Sequence, residues 1–367
     1  MRKNERIQSF VEEIWHWYAV HKRPLPWRDI PVTDDTERAY RILVSEVMLQ
    51  QTQVERVAVL YCRFLQRFPT LGSLAAASNR DVILAWRGMG YNARALRLRD
   101  AARRIVDSFL VSRFSLRGGK RKTNNEQTKN GFPRSMEELT AIPGIGHYTA
   151  AAIRNFAFNI PTPCIDTNIR RILHRTFVGP ENADGTWEKD DKYVLRIAAE
   201  VLDAAVTSRV ARDSLARFSM RSQTSNPQPA NGQPPRDAAN WHAALMDFGS
   251  IVQTKRNPQW DICPLTARGL MKATIINFPR SEVRIPKSEP GRHIAGRFIP
   301  NRIVRGRIVE ALREAPSGLL PDALGKRIAA DWSPAAHRSW LAAILAKLRK
   351  EALVEEQAGV YVLRSEP

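Results

Sequence analysis

Apolar residues recur at helical spacing along most of the chain. Ile7, Phe10, Val11, Ile14 and Trp15 mark a first helix over residues 5–20. From 36 to about 110 the pattern stays helical, broken at Pro69 and at Gly88-Met89-Gly90, with no alternating run of the kind a sheet needs. Helices resume at 135, continue to about 205, and return near 240–253. Two stretches fall outside the pattern. Residues 112–131 are polar, basic and Gly-rich and have little to bury, so they read as a mobile loop. A second low-complexity insert lies within 205–239. Residues 276–299 read as a linker. Beyond 300 the spacing predicts helices at 302–314, 321–330 and 335–350, then apolar alternation from Leu353-Val354 to Val360-Tyr361-Val362-Leu363 around Ala358-Gly359. Three helices and a hairpin make a winged-helix pattern. Its third helix carries Arg338, Lys347, Arg349 and Lys350, which suits a major groove, while a protein-contact module would read the same way.

Charge sharpens this picture. Lys and Arg total 57 against 37 Asp and Glu in 367 residues, a net charge of +20. Such an excess suits a polyanionic partner, of which nucleic acid is the commonest, although a merely soluble basic protein would also show it. Cys62, Cys164 and Cys263 are too few and too scattered for a disulfide framework or a four-thiolate metal site, which suits a reducing cytoplasm. The first residues lack the apolar run of a signal peptide, and no stretch is apolar for long enough to span a membrane.

Four constellations carry candidate chemistry. Glu46 lies four and three residues after Ile42 and Leu43 and three before Leu49, so helical spacing sets its carboxyl on an apolar face. Burial there would raise its pKa toward that of a general acid, whereas a Glu reaching solvent or pairing with an Arg would keep an ordinary one. Asp166 opens a periodic run and reads as an N-cap; amide donors and the helix dipole would keep it ionised, fit to stabilise a cationic sugar. A neutral acid beside an anion is the division of labour that glycoside cleavage uses. The segment Pro143-Gly144-Ile145-Gly146, running into Tyr148, Thr149 and an Ala-rich helix, permits a tight turn whose outward amides suit a phosphate; an ordinary helical corner is the plain alternative. Gly88-Met89-Gly90-Tyr91 joins a tight turn and an aromatic to a basic helix with Arg97, Arg99, Arg103 and Arg104, which suits a wedge in a base stack, or a loop Tyr packed on its own core.

Together these segments resemble the helix–hairpin–helix DNA glycosylase superfamily, most closely the adenine DNA glycosylases of the MutY type, over about residues 7–270. The resemblance rests on Leu25-Pro26-Trp27-Arg28, Ser45-Glu46-Val47-Met48-Leu49-Gln50-Gln51-Thr52, Gly88-Met89-Gly90-Tyr91, the Pro-Gly hairpin, Asp166-Thr167-Asn168 and Ala244-Leu245-Met246-Asp247-Phe248-Gly249. It implies a mainly α, two-domain helix–hairpin–helix fold with a C-terminal winged-helix-like α+β module. The division would be 1–35 with 165–275, a six-helix barrel over 36–164, a linker, and a module over 300–367. By resemblance, Glu46 protonates the flipped adenine and Asp166 stabilises the sugar cation, supported by Tyr148 and Asn168. Trp27 and Arg28 match the base pocket. Gln51, Thr52 and Tyr91 match the wedge, Met89 beside Tyr91 is expected to bind DNA with them, and Gly144, Gly146 and Thr149 match the phosphate grip, with a monovalent cation on hairpin carbonyls. Related enzymes that also cut the strand carry Lys at position 148; Tyr cannot form their Schiff base, so a monofunctional glycosylase is implied.

The chain departs from the family in three places. The four cluster-ligand positions read Gln253, Trp260, Cys263 and Gly269, so no iron–sulfur cluster is expected. Ala243 replaces a longer polar residue near the base, and the 8-oxoguanine-reading domain is replaced by the winged-helix-like pattern. The expectation is a monomeric, cytoplasmic, nucleoid-associated enzyme acting on double-stranded DNA with a mismatch or oxidised guanine. A thymine or uracil mismatch glycosylase of the same fold, or a non-catalytic DNA-binding protein, are the alternatives.

Overall fold

The computed structural model describes residues 2–115, 131–182, 184–207, 235–273 and 289–366. The chain forms two compact units: Met1–Glu46 with Thr123–Glu282, and Val47–Lys122 with Val283–Pro367. This partition groups residues 47–122 with the C-terminal segment, unlike the sequence-based division. Most of the low-complexity insert, residues 208–234, lies outside the described residues.

In the first unit, helix α1 (Lys3–His21) buries Ile7, Phe10, Val11, Ile14, Trp15, Trp17 and Tyr18, one broad stripe at 3.6-residue spacing. Helix α2 (Asp35–Leu49) carries Glu46 near its end. A short α7 (Met136–Thr140) turns into α8 (His147–Phe158), followed by α9 (Thr167–Phe177), α10 (Asp191–Thr207), α11 (Ala238–Ile251) and a one-turn α12 (Pro264–Ala267). Helix α11 packs on α9, α1, α8 and α10. Phe10, Trp15, Ile172, Val201, Trp241 and Phe248 meet in the shared core. Fully burying one such aromatic contributes about 2–3 kcal/mol, so this core fixes the helices that hold the site.

The second unit takes the last turn of α2 and continues with α3 (Val54–Arg67), α4 (Leu71–Ala75), α5 (Asn79–Ala85) and α6 (Ala93–Ser115). Thr70 and Ser78 cap α4 and α5 through their hydroxyls. Arg103 donates to the carbonyls of Ala75 and Ala77 at 2.7 and 3.0 Å, closing the end of α4. Helix α6 runs through Ser115, into the stretch read as a loop; residues 116–130 of that stretch lie outside the described residues.

The C-terminal segment differs from expectation at its start. Residues 291–299, assigned to the linker, form with Pro300 a hairpin of β1 (Gly291–Ile294) and β2 (Arg297–Pro300), with Gly291 opposite Pro300 and Ile294 opposite Arg297. Then come α13 (Asn301–Arg313), α14 (Pro321–Ile328), α15 (Pro334–Lys350) and a second antiparallel hairpin, β3 (Val354–Gln357) and β4 (Val360–Leu363). The three helices and the β3–β4 hairpin stand where the spacing predicts them. A bridge from Leu319 to Tyr361 adds a third extended piece to that hairpin. Ile83 and Leu96 share one core with Val304, Ile308, Leu345 and Leu363, so the module and the α5–α6 corner are a single packed body.

Candidate active site

Four segments of the first unit converge on two carboxyl groups. The α2 spacing does put Glu46 inside, at 8% exposure, between the fully buried Ile42, Leu43 and Met48. Burial raises its pKa from 4.5 to about 7; the Asp166 charge pushes the same way, while the Tyr148 hydrogen bond and Arg28 push down. The alternative of a Glu paired with Arg is not what forms, because its hydrogen-bond partner is the Tyr148 phenol. Burial and the neighbouring Glu46 raise the phenol's own pKa well above its ordinary value, so Tyr148 keeps its proton and donates it.

Asp166 caps α9 as its position predicts. Its Oδ1 accepts from the Ile169 amide at 2.6 Å, and its Oδ2 from Asn168 Nδ2 at 3.0 Å. The expected donors are present, but burial opposes them. Burial raises the Asp166 pKa above 3.8, with these donors and Arg171 opposing it. The two carboxyls differ in what favours their charged forms: Asp166 has the backbone amides of Asn168 and Ile169, the Asn168 side chain and Arg171, whereas Glu46 has the Tyr148 hydroxyl and Arg28.

The surroundings are more tightly built than the sequence shows. Asn168 Oδ1 accepts from Arg171 at 2.6 Å, and Arg171 donates to the carbonyls of Gly249, at 2.9 Å, and Gln253. Asn155 clamps Thr162 through its amide at 2.7 Å and its oxygen at 2.9 Å, fixing the segment that delivers Asp166. Burial, then Asp166 and Glu46, push the Cys164 thiol up, so it stays protonated beside them.

Trp27 is buried at 6% exposure beside Arg28, in a turn closed by the Arg28 amide on the Leu25 carbonyl at 2.9 Å. The Arg28 fork is bidentate on Asp247, at 2.8 and 3.1 Å, with a further bond to the Tyr18 hydroxyl at 3.2 Å. Arg23 holds the same carboxylate at 2.7 Å. Asp247 is fully buried, and its role went unread because its partners lie more than 200 residues away in the chain. Ala243 is buried in α11.

At the hairpin, Gly144 adopts φ +95°, which only glycine tolerates easily, and the exposed Gly146 caps α8 with no side chain. Thr149 is buried at 4% exposure, so its side chain is not at the surface where a phosphate grip was expected.

The remaining expected residues belong to the second unit. Gln51 and Tyr91 adopt φ +55° and +46°, left-handed backbone that costs non-glycine residues energy and marks functional turns. Tyr91 is 51% exposed, as a wedge requires, but Met89 is 4% exposed and offers only its carbonyl. Arg94, not singled out for this role, holds both turns together. Its guanidinium donates to the Val47, Met48 and Gln50 carbonyls at the end of α2, and to Thr52, Met89 and Gly90. Arg99 and Arg103 likewise serve Asn79 and the α4 carbonyls.

The four cluster-ligand positions do not fit a four-thiolate site. Gln253 is buried, accepting from Arg175 at 3.2 Å and donating to the Cys263 sulfur at 3.4 Å. The Arg175 guanidinium lies over the Trp260 ring at 5.7 Å and is bidentate on buried Glu181 at 3.0 and 2.7 Å.

Residues 44–202 match the HhH-GPD superfamily of base excision DNA repair proteins. The adenine DNA glycosylase of Mycolicibacterium smegmatis is 30% identical over 303 residues, covering 83% of this chain and 80% of that protein. The human adenine DNA glycosylase is 39% identical over 262 residues, covering 71% of this chain and 38% of that much longer protein. A thermostable thymine-DNA glycosylase shares the fold, with a TM-score of 0.51 and 20% identity over 73% of this chain and 96% of its own. Fold and site thus define a helix–hairpin–helix base excision protein. Within that superfamily, the chain belongs to the adenine DNA glycosylase family.

Proposed function

We propose that the protein hydrolyses the N-glycosidic bond of adenine mispaired with guanine or 8-oxoguanine, leaving an abasic site. The observation that carries this reading is a buried Glu46, its pKa raised to about 7 and its carboxyl bonded to Tyr148, beside the Asp166 carboxyl pinned by α9 amide and Asn168 donors. A paired base is out of reach in a duplex, so the nucleotide is first extruded, at a cost of a few kcal/mol. Glu46 then gives its proton to a ring nitrogen of the adenine. The bonding electrons leave with the base, which departs neutral, and the sugar becomes an oxocarbenium ion. Ionised Asp166 stabilises that cation, an interaction stronger in the transition state than in the substrate. Water adds to the sugar carbon, and the proton it loses restores Glu46. Tyr148 is no amine nucleophile, so no covalent strand-cutting intermediate follows. Trp27 would line the base pocket, with Arg28 locked on Asp247 as its floor. The hairpin amides at Gly144 and Gly146 would take a backbone phosphate, helped by a monovalent cation on nearby carbonyls. A monomer acting on chromosomal DNA suits the +20 charge.

The test uses duplexes with A:8-oxoG, A:G, T:G and U:G pairs, treated with alkali to reveal abasic sites. Cleavage at the adenine pairs supports the reading. Cleavage confined to T:G or U:G overturns the base assignment, and tight binding without cleavage overturns the catalytic one.

A further inference from the structure

The fully buried Asp247 carboxylate takes two guanidiniums at once. Arg28 reaches it at 2.8 and 3.1 Å, Arg23 Nε and Nη2 each at 2.7 Å, and the Arg23 amide at 3.2 Å. Both arginines belong to one turn, Arg23-Pro24-Leu25-Pro26-Trp27-Arg28, whose two prolines fix φ and stiffen the backbone between them. Asp247 therefore docks that turn on α11 through both of its ends. The Tyr18 hydroxyl donates to Asn240 Oδ1 at 3.3 Å and accepts from Arg28 at 3.2 Å, which completes the grip.

Arg28 is also the cation whose charge acts on Glu46, favouring its ionised form. The groups that face the acid are Tyr148 of α8, Asp166 and Cys164 ahead of α9, and Arg28. A guanidinium free to turn would find in the Glu46 carboxylate a planar partner suited to its fork, and the pair would hold the acid ionised. An ionised Glu46 has no proton to give to a base. Without Asp247, Arg28 would be left at 7% exposure with the neutral Tyr18 hydroxyl as its acceptor among the described residues. A buried cation with no counter-charge is costly, so it would be driven toward the nearby acid.

We propose that Asp247 is a positioning residue for the acid: it holds the Arg28 fork on itself and so keeps Arg28 from pairing with Glu46. The proton then stays on Glu46 until the adenine takes it. The inference rests on the excision reading above, since it concerns the proton that reading uses.

Single-turnover excision from an A:8-oxoG duplex, followed from about pH 5 to about pH 9 with the full chain, tests it. Two double variants carry the comparison. Arg23→Gln/Asp247→Asn and Arg28→Gln/Asp247→Asn each remove one cation together with the anion, so the net charge of the cluster is the parent's in both. The first keeps Arg28 and frees it. Its alkaline limb should move down by about 1 to 3 pH units, the shift an adjacent opposite charge produces. The second has no guanidinium to turn toward the acid, and its limb should stand at the parent's position or above. Equal shifts in the two, or no shift in the first, overturn the proposal, because a merely structural Asp247 would not distinguish which arginine remains. Melting temperatures identify a variant that does not fold. Asp247→Asn alone frees the same guanidinium and should show the first variant's shift in its place. A parent that excises nothing at any pH rejects the excision reading, whereas an active parent with unshifted variants rejects the role of Asp247 alone.

Discussion

A Cβ on Gly249 would lie 2.6 Å from the Cβ of Asn168 and 3.2 Å from its Cα. Helix α11 therefore touches α9 at the residue that donates to Asp166, and glycine is what lets the helices close to that distance. Gly249→Ala must push Asn168 outward or separate the helices. Overpacking of this kind costs about 1–3 kcal/mol. Displacing a catalytic carboxylate by about 1 Å costs on the order of 100-fold in rate. The expected outcome is a folded protein with a slightly lower melting temperature and a single-turnover excision rate reduced by one to two orders of magnitude. A wild-type rate in this variant would separate Asn168 from the chemistry.

Glu46→Gln should abolish excision, spare DNA binding, and stabilise the fold in a pH-dependent way. Folding raises the Glu46 pKa from 4.5 to about 7, so the unfolded chain holds fewer protons between those values. Stability contributed by the native acid is intact below 4.5 and is lost as pH rises through about 7, amounting to roughly 3 kcal/mol. Gln carries no such penalty. The variant's melting temperature should exceed the parent's by several degrees at pH 8, and the difference should shrink toward pH 5. A constant difference across that range would mean that Glu46 is not the group that titrates.

The rate profile tests the same proton from the catalytic side. If protonated Glu46 delivers the proton, single-turnover excision falls about tenfold per pH unit above an apparent pKa near 7. The Tyr148 hydrogen bond lowers that pKa, so Tyr148→Phe should move the alkaline limb to higher pH even as the maximal rate drops. A limb that moves to lower pH would contradict the assigned direction of the bond.

What the sequence revealed follows from the range of each interaction. Glu46 on an apolar face and Asp166 at a helix start are local patterns, read within four residues, and both are present. The Arg28–Asp247 clamp and the Arg171–Gly249 contact join residues far apart and leave no local signature. Two Ala-Gly turns make the contrast plain. Ala358-Gly359 and Ala295-Gly296 share one geometry, φ 48° and 81° against 49° and 78°. The first was legible because Val360-Tyr361-Val362 alternates beside it. The second, flanked by Arg292-His293 and Arg297, looks like linker because charged and polar residues adjoin its turn where the first has a run of β-branched and aromatic ones. Thr149 and Met89 went the other way, since a motif position does not say whether a side chain faces inward.

Arg94 supports the strongest prediction about the second unit. One guanidinium spans the end of α2 and the Gly88–Tyr91 turn, bonding the Val47 carbonyl at 3.0 Å, the Met48 carbonyl at 3.2 Å and the Thr52 hydroxyl at 3.1 Å. It also lies over the Tyr91 and Trp86 rings, at 5.4 and 5.6 Å. These carbonyls are among those a helix end leaves unpaired, and the two turns it joins hold residues at positive φ that need external support. Lysine has the charge but neither the planar fork nor enough donors for so many acceptors. Arg94→Lys should therefore keep the helices, lose about 1–3 kcal/mol of stability, and free Gln51 and Tyr91 from their fixed backbone. Because the wedge acts at extrusion and Glu46 acts after it, the variant should bind a mismatched duplex about tenfold or more weakly. Excision of adenine already unpaired in single-stranded DNA should change far less. Equal losses on both substrates would show that Arg94 supports the fold at large and not the wedge.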